Sequence, residues 1–67
     1  MDELTAINAD DRIAVKPERA AAMLDISRAK LYQLLTRGEL ASFYIDNSRR
    51  ILVADIRKYA ADRLAAA

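Results

Sequence analysis

Apolar residues recur along this chain first at helical and then at strand spacing. Ala20, Ala21 and Leu24 share one face of a helical wheel, and Leu31, Leu34 and Leu35 share another. The first set predicts a helix over about 17–24. Pro17 suits its first position, where a missing N–H costs nothing and the fixed φ matches the helix. Glu18 beside it complements the positive helix end. The second set predicts a helix over about 28–37. Ser27 opens it as N-cap, its hydroxyl placed to accept from the amide of Ala29 or Lys30. Gly38, the one glycine in the chain, stops it through a positive φ. Between the helices lies only Asp25-Ile26-Ser27. Aspartate tolerates the left-handed conformation such a turn needs, and Ile26 should plug the core.

After Leu40 the spacing drops to two. Phe43 and Ile45 share a face, as do Ile51 and Val53, which predicts a β-hairpin over about 42–53. For all four to face one core, Ile45 pairs with Ile51 and Phe43 with Val53. Asp46 then stands opposite Arg50, and Asn47-Ser48-Arg49 form the loop. A two-residue loop would place Arg50 beside Ile45 on the buried face, so the three-residue loop is preferred. Arg49 and Arg50 then make a basic finger tip, while Tyr44 and Leu52 fall on the outer face. Ile56, Tyr59, Ala60 and Leu64 give a final helix over about 55–64 its core face, and the alanines after it should fray. Ahead of the first helix, Ile13 and Val15 predict a short extended lead packed on the core. Residues 1–12 have no clear period and are read either as frayed or as a short helix starting near Asp2.

Two helices joined by so tight a turn must cross steeply, which is the frame of a helix-turn-helix. The fold class expected is mainly α with a small β-hairpin, a winged helix-turn-helix over residues 13–67 behind an acidic lead. The outward side of the second helix carries Ala29, Gln33 and Thr36, flanked by Arg28, Lys30, Tyr32 and Arg37. That is a polar, cationic face with a small residue at its centre. An apolar stripe for docking a partner helix is not there.

Composition narrows the chemistry. The 67 residues contain no cysteine and no histidine, so disulfides, thiolate or imidazole metal sites and a histidine base are not expected. No cofactor or metal is implied, and an enzyme is the least favoured class. No apolar run is long enough to span a bilayer, and the start lacks a signal-peptide pattern, so a cytoplasmic, nucleoid-associated protein is expected. The formal net charge of +1 conceals an asymmetry. Residues 1–15 sum to −3, residues 16–58 to +4, and the last nine are neutral. A basic body of this kind suits a polyanion.

The order Ala20-Ala21-Ala22-Met23-Leu24-Asp25-Ile26-Ser27-Arg28, then Leu31-Tyr32-Gln33-Leu34-Leu35-Thr36-Arg37-Gly38-Glu39-Leu40, resembles the excisionase-type helix-turn-helix. This is a MerR-like winged-helix family that includes phage recombination directionality factors. The resemblance runs from about Val15 to Tyr59. Departures are Asp25 for the usual turn glycine, Ala41 for a common proline, and Asn47-Ser48 for a glycine-richer tip. It implies binding and bending of attachment-site double-stranded DNA, cooperation with a phage integrase, and a bias towards excision. Stand-alone members of this size are typically excisionases or small phage regulators, and a small transcriptional regulator is the alternative.

The candidate DNA-binding residues are Ser27, Arg28, Lys30, Tyr32, Gln33, Arg37, Arg49 and Arg50. Gln33 matches adenine by paired donor and acceptor, Arg28 a guanine or phosphate, and Lys30 a phosphate or purine edge. The alternative for Lys30 and Gln33, less favoured than DNA contact, is plain solvated helix surface. Tyr32 either bonds a phosphate or flanks the core, and Arg37 either touches DNA or caps helix carbonyls. Arg49 and Arg50 suit a narrow minor groove; Arg50 could instead pair with Asp46 in an exposed ion pair worth ~0–1 kcal/mol. A single module of this size binds modestly, which calls for head-to-tail self-association on DNA through the acidic lead, the outer hairpin face or the tail near Leu64.

Overall fold

The computed structural model describes residues 12–67. The acidic lead, apart from Arg12, lies outside that range. Strand β1 (Ala14–Val15) is followed by helices α1 (Pro17–Leu24) and α2 (Arg28–Thr36). Strands β2 (Phe43–Ile45) and β3 (Ser48–Leu52) lead into helix α3 (Val53–Ala66). β3 is the central strand, antiparallel to β1 on one side and to β2 on the other. This is a winged helix-turn-helix.

The helix-turn-helix follows the local rules closely. Pro17 stands in the first turn of α1 with Glu18 beside it. Asp25 closes that helix in the left-handed region at φ 56°, where its amide donates to Ala22 O and that of Ile26 to Ala21 O. Ser27 Oγ accepts from the Lys30 amide at 3.0 Å. α2 ends by the same device: Gly38 at φ 77° donates to Leu35 O, and Glu39 to Leu34 O. Paired bonds of this kind satisfy the carbonyls that a helix end would otherwise expose. Arg37 is the cap of α2 and lies outside its regular turns.

Leu31, Leu34 and Ile51 are the largest fully buried side chains. Around them pack Val15, Ala20, Ala21, Leu35, Leu40, Val53 and Ile56. Each fully buried aliphatic side chain stabilises the fold by roughly 1.5–3 kcal/mol, and half-buried Met23, Leu24, Ile26, Tyr32 and Tyr59 close the edges. Ile13 does not join this core; it is 80% exposed. Its carbonyl accepts instead from the Val53 amide at 2.9 Å.

The hairpin departs from the expected register. Ile45 pairs with Ser48, Tyr44 with Arg49 and Phe43 with Arg50, leaving a two-residue turn at Asp46-Asn47. Asp46 supplies the positive φ, 57°, that tight hairpin turns need at this position. Each partner is three residues from the expected one, and an odd offset sends every side chain of the strand to the opposite face. Phe43 and Ile45 therefore lie with Arg50 on the outer side, and Tyr44 lies with Arg49 and Ile51 on the inner side. None of the three β2 side chains is buried; Ile45 is 55% exposed. The expected pairing assumed that Phe43 and Ile45 need cover. In fact Val15 is the neighbour of Ile51, and β2 extends past the core.

α3 begins at Val53 rather than Asp55, because the Ile13 carbonyl takes the Val53 amide and Leu52 already serves as the cap. Its buried face is Val53, Ile56 and part of Tyr59. Ala60 and Leu64, expected on that face, are exposed, Leu64 by 78%. The alanine-rich end is helical to Ala66.

Candidate nucleic-acid interface

Burial of Leu31, Leu34 and Leu35 forces the other side of α2 outward. Ala29, Gln33 and Thr36 are exposed there, and with Tyr32 and Arg37 they line an open depression. Ala29 leaves that surface low enough for a second body to approach. Gln33 Oε1 accepts from Arg37 Nη2 at 3.4 Å, and Arg37 also stands 3.6 Å from a Glu39 oxygen. Arg37 thus engages side chains, while backbone amides take the last carbonyls of the helix. That of Arg37 is itself one of them, donating to Gln33 O at 2.9 Å. Lys30 is exposed, and its ammonium meets no hydrogen-bond or ion-pair partner among the described residues. Ser27 is occupied as the cap.

Tyr32 has a second role that the spacing alone concealed. The Arg28 guanidinium lies 5.3 Å from its ring centroid, and that of Arg49 lies 5.7 Å from it. Arg49 is also 5.8 Å from the Tyr44 ring, and its Nε donates to Ser42 Oγ at 2.9 Å. A cation over an aromatic face is worth about 0.5–1 kcal/mol at an exposed site. The array Arg28–Tyr32–Arg49–Tyr44 joins the outward helix to the wing and concentrates positive charge along the seam. Tyr44 and Ser42 were missed as candidates. The signal that would have found them is a turn one residue earlier, at Asp46-Asn47.

The cationic finger tip is not formed. With the turn at Asp46-Asn47, Arg49 and Arg50 become residues of β3 and point to opposite sides. Both are half-buried at the wing's base. Arg50 donates from Nη1 to Arg49 O at 2.9 Å, so the cross-hairpin pair with Asp46 is replaced. It faces a second concavity, lined also by Arg12, Lys16, Glu18 and Arg19. Arg28 and Glu18 meet at 3.4 Å between α2 and that concavity. The candidates thus divide: Arg28, Tyr32, Gln33, Arg37 and Arg49 are brought together, and Arg50 is not with them.

A family model described as a helix-turn-helix domain matches residues 15–64. The chain belongs to the helix-turn-helix domain family. That family includes excisionase-like DNA-binding domains. No curated protein and no solved structure matches the chain. In a helix-turn-helix the second helix enters the major groove while the first crosses the backbone. The first and second helices of the motif in this helix-turn-helix protein are α1 and α2. Among the described residues, no helix is long and apolar enough to cross a membrane.

Proposed function

We propose that this helix-turn-helix protein is an architectural DNA-binding factor of the excisionase type. It binds attachment-site duplex with α2 in the major groove and the base of the wing against the neighbouring backbone. Copies associate head to tail, bend the site, and tip a phage integrase towards excision. The protein acts by binding rather than catalysis, in the nucleoid of a bacterial host. The observation that carries this reading is the seam at Tyr32. The polar face of α2 and the wing are joined there by Arg49, presenting Arg28, Gln33 and Arg49 as one surface. In this reading Gln33 reads a base edge, Arg28 and Lys30 a purine or phosphate, and Arg49 a phosphate beside the groove. The resemblance of Ser27-Arg28, Leu31-Tyr32 and Arg37-Gly38-Glu39-Leu40 to the excisionase pattern supports the finer assignment.

The test is an excision assay in vitro with integrase and attachment-site DNA, with and without the protein, alongside electrophoretic retardation. Excision stimulated by the protein, with retardation at the same sites, is the expected result. Retardation of promoter DNA with no effect on recombination would make it a small regulator instead. No retardation of any duplex would end the DNA-binding reading.

A further inference from the structure

Between β1, α1 and β3 lies a concavity of about 500 Å³ on which four cations converge. Lys16 follows Val15 and Arg50 precedes its partner Ile51, so the antiparallel register sets two like charges side by side. Arg12 precedes β1, and Arg19 comes from the first turn of α1. Like charges placed together in this way are destabilising unless an anion joins them. Among the described residues Glu18 is the sole acidic one lining the concavity, and its carboxylate is engaged by Arg28. Arg12, Lys16 and Arg19 have no side-chain hydrogen bond or ion pair with any described residue. Arg50 uses Nη1 on the Arg49 carbonyl, leaving its other guanidinium donors uncommitted. Ala22 keeps the floor open. Guanidinium groups held in this manner match the oxygens of a phosphate, which they bind through paired N–H donors.

We infer that this concavity is a second anion site, one that holds a backbone phosphodiester of the duplex outside the groove occupied by α2. The proposal rests on the DNA-binding reading above and extends its footprint. Continuity between the two surfaces comes from Glu18, which lines the concavity and also touches Arg28 at the start of α2. Arg50 accordingly belongs to this clamp and not to a minor-groove finger. The clamp recognises charge and spacing alone, so it adds affinity without sequence preference. The four cations were legible one by one in the sequence, but only the pairing of β1 with β3 gathers them.

The experiment measures duplex binding by the full chain over a range of salt concentrations. It compares the unaltered protein, Lys16→Gln/Arg19→Gln, and a charge-matched control on α3, Lys58→Gln/Arg63→Gln. All four positions are exposed, and circular dichroism checks the folding of each variant. Each phosphate neutralised contributes about 0.9 to the slope of log K against log salt. The clamp variant should lower that slope by about 1–2 and weaken binding about tenfold at 0.1 M salt, equally on target and scrambled duplexes. The control should keep the original slope. Duplex binding with an unchanged slope in the clamp variant overturns the clamp alone. An equal fall in the control also overturns it, by assigning the effect to net charge. A titration with inorganic phosphate, followed by NMR at residues 12–22, separates the two sources of phosphate. Saturation below millimolar, lost in the clamp variant while the duplex slope holds, would make this a free-phosphate site and overturn the proposal. Failure of the unaltered protein to bind any duplex removes the functional reading and the clamp together.

Discussion

The Arg49 guanidinium stands 5.7 Å from the centroid of the Tyr32 ring, so the wing and the second helix meet through one stacked contact. The same ring carries Arg28 on α2. Tyr32 is half-buried against the core, which fixes the platform both arginines use.

Tyr32→Phe keeps the ring and removes the hydroxyl, whereas Tyr32→Ala removes both. If the ring is what matters, the phenylalanine variant retains duplex binding within about threefold. The alanine variant loses tenfold or more and about 1–2 kcal/mol of stability, from lost burial and two cation–ring contacts. Retardation titrations and urea denaturation measure the two effects. Equal losses in both variants would point to the hydroxyl as a phosphate donor.

Arg28→Glu and Arg49→Glu each reverse a charge at this seam. Both should abolish retardation while the helical circular dichroism stays intact. Retained binding in both variants would mean that another surface meets the duplex.

Leu34→Ala empties a fully buried position in the centre of the core. The expected cost is ~2–5 kcal/mol, enough to unfold most of a domain this small. Thermal denaturation should show a broad, low transition or none.

The two helix ends make opposite predictions. Asp25 holds φ 56° and Gly38 holds φ 77°. Asp25→Gly relieves a strained side chain and should raise stability by about 0.5–1 kcal/mol. Gly38→Ala imposes the same strain, and nothing lies within 4 Å of the added Cβ, so the loss should be only about 1 kcal/mol. Opposite shifts in melting temperature are the expected reading.

Ile45→Thr discriminates between the two hairpin registers. In the observed register Ile45 is exposed opposite Ser48, so the change should cost under about 0.5 kcal/mol. The register with Ile45 against Ile51 would bury this side chain and make the loss several times larger. Urea midpoints suffice to tell them apart.

What could be read from the chain alone followed the reach of each interaction. Pro17, Asp25, Ser27 and Gly38 act within a turn of themselves, and α1 and α2 fall where those residues place them. The hairpin depended on which partner Ile51 would find. Val15, far off in sequence, takes that place, which frees Phe43 and Ile45 from the core and reverses the wing's faces. The site divided along the same line. The outward set on α2 followed from helical periodicity, whereas the position of Tyr44 beside Arg49 required the true register. The convergence of Arg12 and Arg19 on Arg50 required the β1–β3 pair. α3 starts early for a related reason, since the Ile13 carbonyl that receives the Val53 amide lies forty residues upstream.

Leu52 is both the last residue of β3 and the cap of α3, with no connecting segment between them. The wing is therefore cantilevered from the most deeply anchored part of the molecule. It lacks a joint at that root, and the stack at Tyr32 braces it partway along. Such a mount resists deflection, so anything laid across both helix and wing must adopt the span the protein dictates, and the compliance has to come from the guest.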